Sequence, residues 1–105
     1  MNQQHAIPRN GVPIRLSSER WQHIIEEHAE LTGLREQVLQ AITEAERVFS
    51  GAGGELLAMH LMEPGKAIVA VYRDIDSNDG FIITAFVTRR LESFERREQV
   101  WPPPA

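Results

Sequence analysis

The sequence predicts an α+β domain in which two N-terminal helices pack on a three- to four-stranded antiparallel sheet. Two observations carry this expectation. The first half of the chain repeats apolar residues at three- and four-residue intervals, whereas from Val48 onward short apolar runs alternate with turn residues. Helices followed by strands bury their apolar sides most simply as a helical layer on one face of a meander. With 105 residues, 42% of them apolar, there is room for one such core.

Residues 1–11 are polar, contain Pro8 and end in Asn10-Gly11, which reads as a loose arm ahead of a single domain over residues 12–99. Ile14-Arg15-Leu16 is a short candidate strand. Ser17 or Ser18, standing before Glu19, Trp21 and Ile24, is an N-cap signal, so the first helix is expected from about Ser18 to Leu31, with Thr32-Gly33 ending it. Leu34, Val38, Ile42, Ala45 and Phe49 then recur at helical spacing and predict a second amphipathic helix over Leu34 to Val48.

The strands follow. Runs from Glu55 to Glu63 and from Lys66 to Asp74 flank Pro64-Gly65, a hairpin signal in which proline sets φ and glycine supplies a positive φ. Asp76 to Gly80 is a second polar turn, and Phe81 to Thr88 is rich in β-branched and aromatic residues. Arg89 to Gln99 reads as a short helix or an extended arm. Residues 100–105 form a proline-rich tail that cannot continue a helix.

Composition removes several function classes. The absence of cysteine excludes disulfide scaffolds and thiolate zinc sites. Neither a signal-type apolar region nor a membrane-length apolar run is present, so a cytoplasmic location without membrane contact is expected. Eleven basic residues against fifteen acidic ones give a net charge of -4 and no global field for nucleic acid, so any such interface must be a local arrangement.

At about 100° per residue, His28 falls in the apolar stripe of the first helix with Trp21, Ile24, Ile25 and Leu31, whereas His23 falls among Glu26, Glu27 and Glu30. Two readings of His28 stand side by side. It is either a core histidine bonded to a carbonyl, or a general acid or base emerging at the sheet edge, where a pKa of about 6.5 suits proton transfer. His23 and Glu27, at i and i+4, are spaced for a surface ion pair. No metal is expected: the two histidines are five residues apart where the metalloprotease helix needs four, and His5 and His60 complete no ligand set. Asp74 to Gly80 echoes a calcium loop, but Asp79 stands at the glycine position and Ala85 at the bidentate glutamate position.

In the strands, Arg73 is either a solvated terminus or an anion-binding group, and Thr84 is by default a β-branched filler. A turn centred on Ser77 pairs Tyr72 near Ile82 and Ala70 near Thr84, which puts Tyr72 and Thr84 on one face and turns Arg73 away. A bulge at that turn reverses the arrangement.

The order from Leu16 through Trp21, His23, Ile24, Ile25, His28, Glu30 and Leu31, then Glu46-Arg47-Val48-Phe49, then Gly80-Phe81-Ile82-Ile83-Thr84-Ala85-Phe86, resembles the phage-Barnase-EndoU-colicin-RelE-like nucleases. The likeness covers Val12 to about Arg90; the helical tryptophan-x-histidine-isoleucine segment with its His-x-Glu-Leu ending is its most specific part. The resemblance implies helices packed on an antiparallel sheet that carries a metal-independent RNA-cleaving site, with no cofactor. By matching, His28 takes the helical histidine position and His23 a second one, Thr84 is the hydroxyl residue of the last core strand, and Arg73 is the basic strand residue with Tyr72 beside it. Ala29 stands where relatives often have proline.

The implied chemistry is attack of a ribose 2′-hydroxyl on the adjacent phosphorus, with one group removing its proton, another protonating the leaving 5′-oxygen, and a cation on the phosphoryl oxygens. His28 is then the acid or base, His23 a second proton-transfer group, Arg73 the phosphate clamp, and Thr84 or Tyr72 a donor to phosphate; Arg89 and Arg90 add phosphate attraction. The expected partner is RNA, joined in a toxin-type version by an antitoxin or immunity protein. The alternative is a catalytically inactive RNA- or protein-binding module of the same fold, docking through Trp101 and the prolines, which the negative charge and scarce lysine favour.

Overall fold

The computed structural model describes residues 3–103. Their elements are β1 (Gln3–Ala6), β2 (Ile14–Ser17), α1 (Ser18–Glu27), α2 (Arg35–Thr43), β3 (Arg47–Ser50), β4 (Leu56–Glu63), β5 (Lys66–Asp76), β6 (Asp79–Thr88) and β7 (Gln99–Trp101), with 3-10 turns at Ala29–Leu31 and Leu91–Arg96. All seven strands form one sheet in the order β1-β2-β6-β5-β4-β3-β7. Every junction is antiparallel except β2 against β6, which is parallel.

This corrects the expected two helices on a three- to four-stranded antiparallel sheet. The sheet is mixed and seven-stranded, and the helices are short. Three of the additional strands come from segments read as arm, helix end and tail. Gln3–Ala6 pairs with β2 rather than hanging loose, and Gln99–Trp101 pairs with β3; Met1, Asn2, Pro104 and Ala105 lie outside the described residues. Arg47–Ser50 leaves the predicted second helix because Val48 and Phe49 are both buried, in cores on opposite faces of the sheet. A helix puts neighbouring residues about 100° apart, whereas a strand sends them to opposite sides. The short strands β1 and β7 cover what would otherwise be the open edges of β2 and β3.

Ser17 is the N-cap of α1, its hydroxyl accepting the Arg20 N–H at 3.0 Å. The helix stops four residues before the expected end. His28 has φ −132° and ψ 73°, and the 3-10 turn after it still delivers Leu31 to the core at 0% exposure. The Pro64-Gly65 hairpin forms between β4 and β5, with Gly65 at φ 81°.

Two apolar layers result. Ile14, Leu16, Ile24, Leu31, Val38, Ile42, Ile68, Tyr72 and Ile82 pack between the helices and one sheet face. On the other face Phe49, Leu57, Met59, Val69 and Val71 are capped by Phe94 from the second 3-10 turn, whose ring lies 5.4 Å from that of Phe49. That cap sits at the β3 end. Over β6 the same face is half-open, with Phe81, Ile83, Thr84 and Phe86 all partly exposed.

Candidate functional site

The half-open face over β6 gathers three of the expected site residues, His28, Thr84 and Arg73. Its arrangement rests on one irregularity. Tyr72 pairs with Ile82 as the turn geometry predicts, but the next pair is Val71 with Thr84, so Ile83 is left over as a bulge. The expected Ala70–Thr84 pairing is therefore corrected by one residue. Thr84 shares the side of Val71 and Arg73, and Tyr72 faces the helices instead.

His28 stands at one end of this strip. Its ring centroid is 6.2 Å from that of Phe86 at an interplanar angle of 39°, and Nδ1 lies 3.6 Å from Glu30 Oε2. With its side chain 32% exposed, it is not the enclosed core histidine of the first reading. Ending α1 at His28 frees the imidazole from the helical stripe and swings it to the edge of β6. The Glu30 carboxylate is thus the acidic neighbour of Nδ1.

Thr84 lies two residues along β6 from Phe86. Its Oγ1 is shut off from solvent and has no hydrogen-bond partner among the described residues. A hydroxyl in that state carries an unrecovered desolvation cost, and it meets a phosphate only when a neighbour moves aside.

Arg73 marks the far end. Its Nη2 donates to the Gly53 carbonyl at 2.7 Å, against the glycine-rich connection between β3 and β4. Gly54 has φ 90°, and a Cβ there would sit 3.1 Å from Arg73 Nη1. Glycine thus leaves the guanidinium its seat while accepting a backbone that side chains avoid. Arg73 is four residues along β5 from Val69, the partner of Phe86, which is roughly 13 Å along the strand. The structure brings His28, Phe86, Thr84 and Arg73 onto one strip, but it does not bring His28 and Arg73 to a single phosphate.

The other expected residues are elsewhere. Tyr72, on the opposite face, is 2% exposed, and its phenol is pushed up to about 12 by burial and, less strongly, by Asp74; it gives nothing to the strip. His23 is on the solvent side of α1 with its side chain 65% exposed, and its partner is Glu26 at 3.8 Å rather than Glu27. Arg89 and Arg90 follow the end of β6 and are exposed; Arg89 lies 3.6 Å from Glu63. His60 is tied at 2.9 Å to Glu46, whose other oxygen accepts the Leu61 N–H at 2.7 Å, a clamp between β4 and the start of β3. No group of three or more metal-ligating side chains occurs among the described residues.

Two arginines that the sequence reading passed over border the strip. Ile14 and Leu16 are fully buried on the helix side, so Arg15 between them faces the other way. Its guanidinium lies 5.7 Å from the Phe81 ring centre and grips Asp79 through two hydrogen bonds, of 2.9 and 3.3 Å. Those bonds hold the Asp79 carboxyl below the usual carboxylate range and raise Arg15. Arg15, Ser17, Arg20 and Phe81 line a polar depression of about 150 Å3. The alternation in Ile14-Arg15-Leu16 was the signal that could have found Arg15.

No helix among the described residues is long and apolar enough to cross a membrane. Comparison with models of known protein families, with curated proteins and with solved structures finds no match.

Proposed function

We propose that the protein is a metal-independent endoribonuclease that lays a short single-stranded RNA segment along the open face of β6. The observation that carries this reading is the bulge at Ile83, through which Thr84 and Arg73 share a face whose edge is taken by His28 over Phe86. Partly exposed Phe86 and Phe81 offer π-faces for unpaired bases, and Arg73 and Arg20 offer cations for the backbone. The acidic net charge is no obstacle to a short segment, because attraction need only be local.

In the reaction, a ribose 2′-oxygen attacks the neighbouring phosphorus, the phosphorus–5′-oxygen bond breaks, and the products are a 2′,3′-cyclic phosphate and a 5′-hydroxyl. His28 carries one of the two proton transfers, with Glu30 orienting it, and solvent carries the other. Arg73 holds a phosphate further along the chain than the scissile one. Given an RNA substrate, the activity belongs to the cytoplasm, and a toxin-type version would be silenced by an antitoxin or immunity protein seated on the same strip.

Two observations favour the alternative of an inactive RNA- or protein-binding module: Thr84 Oγ1 is closed off and Arg73 is already engaged by Gly53. A mixed-sequence RNA incubated in EDTA separates the two. Cyclic-phosphate ends that vanish in His28→Ala and fall in Arg73→Ala support the nuclease. Intact RNA that nevertheless binds supports the module, and intact, unbound RNA removes RNA from both readings.

A further inference from the structure

On the helix side of the sheet, away from the strip, the fold forms a half-open pocket of about 460 Å3 walled chiefly by Ile42, Val48, Leu56 and Trp101. That size falls within the range of about 300–1,000 Å3 for sites that enclose small molecules. Two features distinguish it from a packing defect. Tyr72 lines it while only 2% exposed, and its hydroxyl has no hydrogen-bond partner among the described residues. Unlike Thr84 Oγ1, this hydroxyl is not sealed off from solvent, so it opens into the pocket, where its O–H can meet a ligand atom. Arg9 is the one charged side chain among the described residues that line the cavity. It is exposed at the mouth, with its guanidinium 4.9 Å from the Trp101 ring centre and one hydrogen bond, of 3.3 Å, to the Ala45 carbonyl.

We propose that this cavity binds an aromatic carboxylic acid whose ring lies against Trp101 and Leu56, whose inner polar substituent bonds to the Tyr72 hydroxyl, and whose carboxylate pairs with Arg9. The aromatic walls favour ring contacts. A guanidinium fork matches a carboxylate and balances one negative charge. A phosphate dianion would leave a charge uncompensated near Asp74, which Asn10 at the cavity rim holds at 3.1 Å. A phenol is protonated at neutral pH, so the Tyr72 hydroxyl is a donor.

The test uses 6-hydroxy-2-naphthoate, with 2-naphthoate lacking the hydroxyl and 2-naphthol lacking the carboxylate. The chain has two tryptophans, Trp21 and Trp101, whose indole N–H signals are resolved in a nitrogen–proton NMR correlation spectrum. The expected result is a saturable shift of the Trp101 signal and not of Trp21, with the hydroxynaphthoate binding about fivefold tighter than either control. Tyr72→Phe then erases its advantage over 2-naphthoate, and Arg9→Gln its advantage over 2-naphthol. Shifts that do not saturate, equal binding of the three compounds, or an order unchanged in the variants overturn the proposal. Arg9 is exposed, so Arg9→Gln keeps the test sound even if Tyr72→Phe fails to fold.

Discussion

Thr84 and Arg73 lie on the same face of the sheet because Ile83 has no partner between the Tyr72–Ile82 and Val71–Thr84 pairs. Side chains alternate along a strand, so a single skipped residue moves everything beyond it to the other side. Without the bulge, Thr84 would face the helices together with Tyr72, and the strip would lose its central hydroxyl.

That hydroxyl is held at a cost. Thr84 Oγ1 is buried and unpaired, so Thr84→Val is expected to raise stability by about 1 kcal/mol, removing an unsatisfied polar atom with little change of shape. Urea unfolding checks this as a higher midpoint with an unchanged slope. The same variant should cleave RNA more slowly; a variant both more stable and fully active would remove Thr84 from the site.

His28→Ala is expected to lower RNA cleavage by about 10²–10⁴-fold, the usual worth of a positioned acid or base. His23→Ala, on the solvent side of α1, should lower it far less. Rates of cyclic-phosphate formation for the two variants decide it, with equal losses pointing to a structural effect of the helix.

The Arg15–Asp79 pair predicts an acid dependence. The hydrogen bonds from Arg15 lower the Asp79 carboxyl in the folded state. Its stabilising contribution is therefore fully present above the unfolded-state carboxylate pKa of about 3.9 and is lost as pH falls through the lower folded value. Urea midpoints measured from pH 5 down to pH 2 should fall less steeply in Asp79→Asn than in the parent protein. Added salt should shrink the difference, because the pair is solvent-exposed.

Tyr72 is the chain's single tyrosine, so phenolate absorbance reports it alone. In the folded protein the midpoint should lie near the raised value of about 12, and in concentrated urea near 10. Between those values the unfolded chain has released its proton while the folded one retains it, so stability falls as pH rises, by about 2–3 kcal/mol in all. Tyr72→Phe should remove that loss, and a folded-state midpoint near 10 would refute the burial of the phenol.

Much of the local structure was legible. The Ser17 cap, the beginnings of both helices, the Pro64-Gly65 hairpin and the Tyr72–Ile82 pair follow from short-range chemistry, in which a side chain or a φ preference acts within a few residues. The segments that were misread are those whose state depends on distant partners. Gln3–Ala6 has no strand pattern of its own and is ordered by pairing with β2. Val48 and Phe49 fit a helical repeat as well as a strand until cores on both sides claim them.

The same division runs through the candidate site. By itself the sequence determined which chemical groups exist: an imidazole near the end of the first helix, a hydroxyl in the last long strand, arginines without cysteines, and a charge balance that forbids a general attraction for nucleic acid. Only the tertiary structure decided where they point. It ended α1 at His28, inserted the bulge at Ile83, seated Arg73 on Gly53 and enclosed Tyr72 on the opposite face. The reason is physical: strand register and burial are set by pairing between residues far apart in the chain, and shifting one partner by one position exchanges the two faces of the sheet.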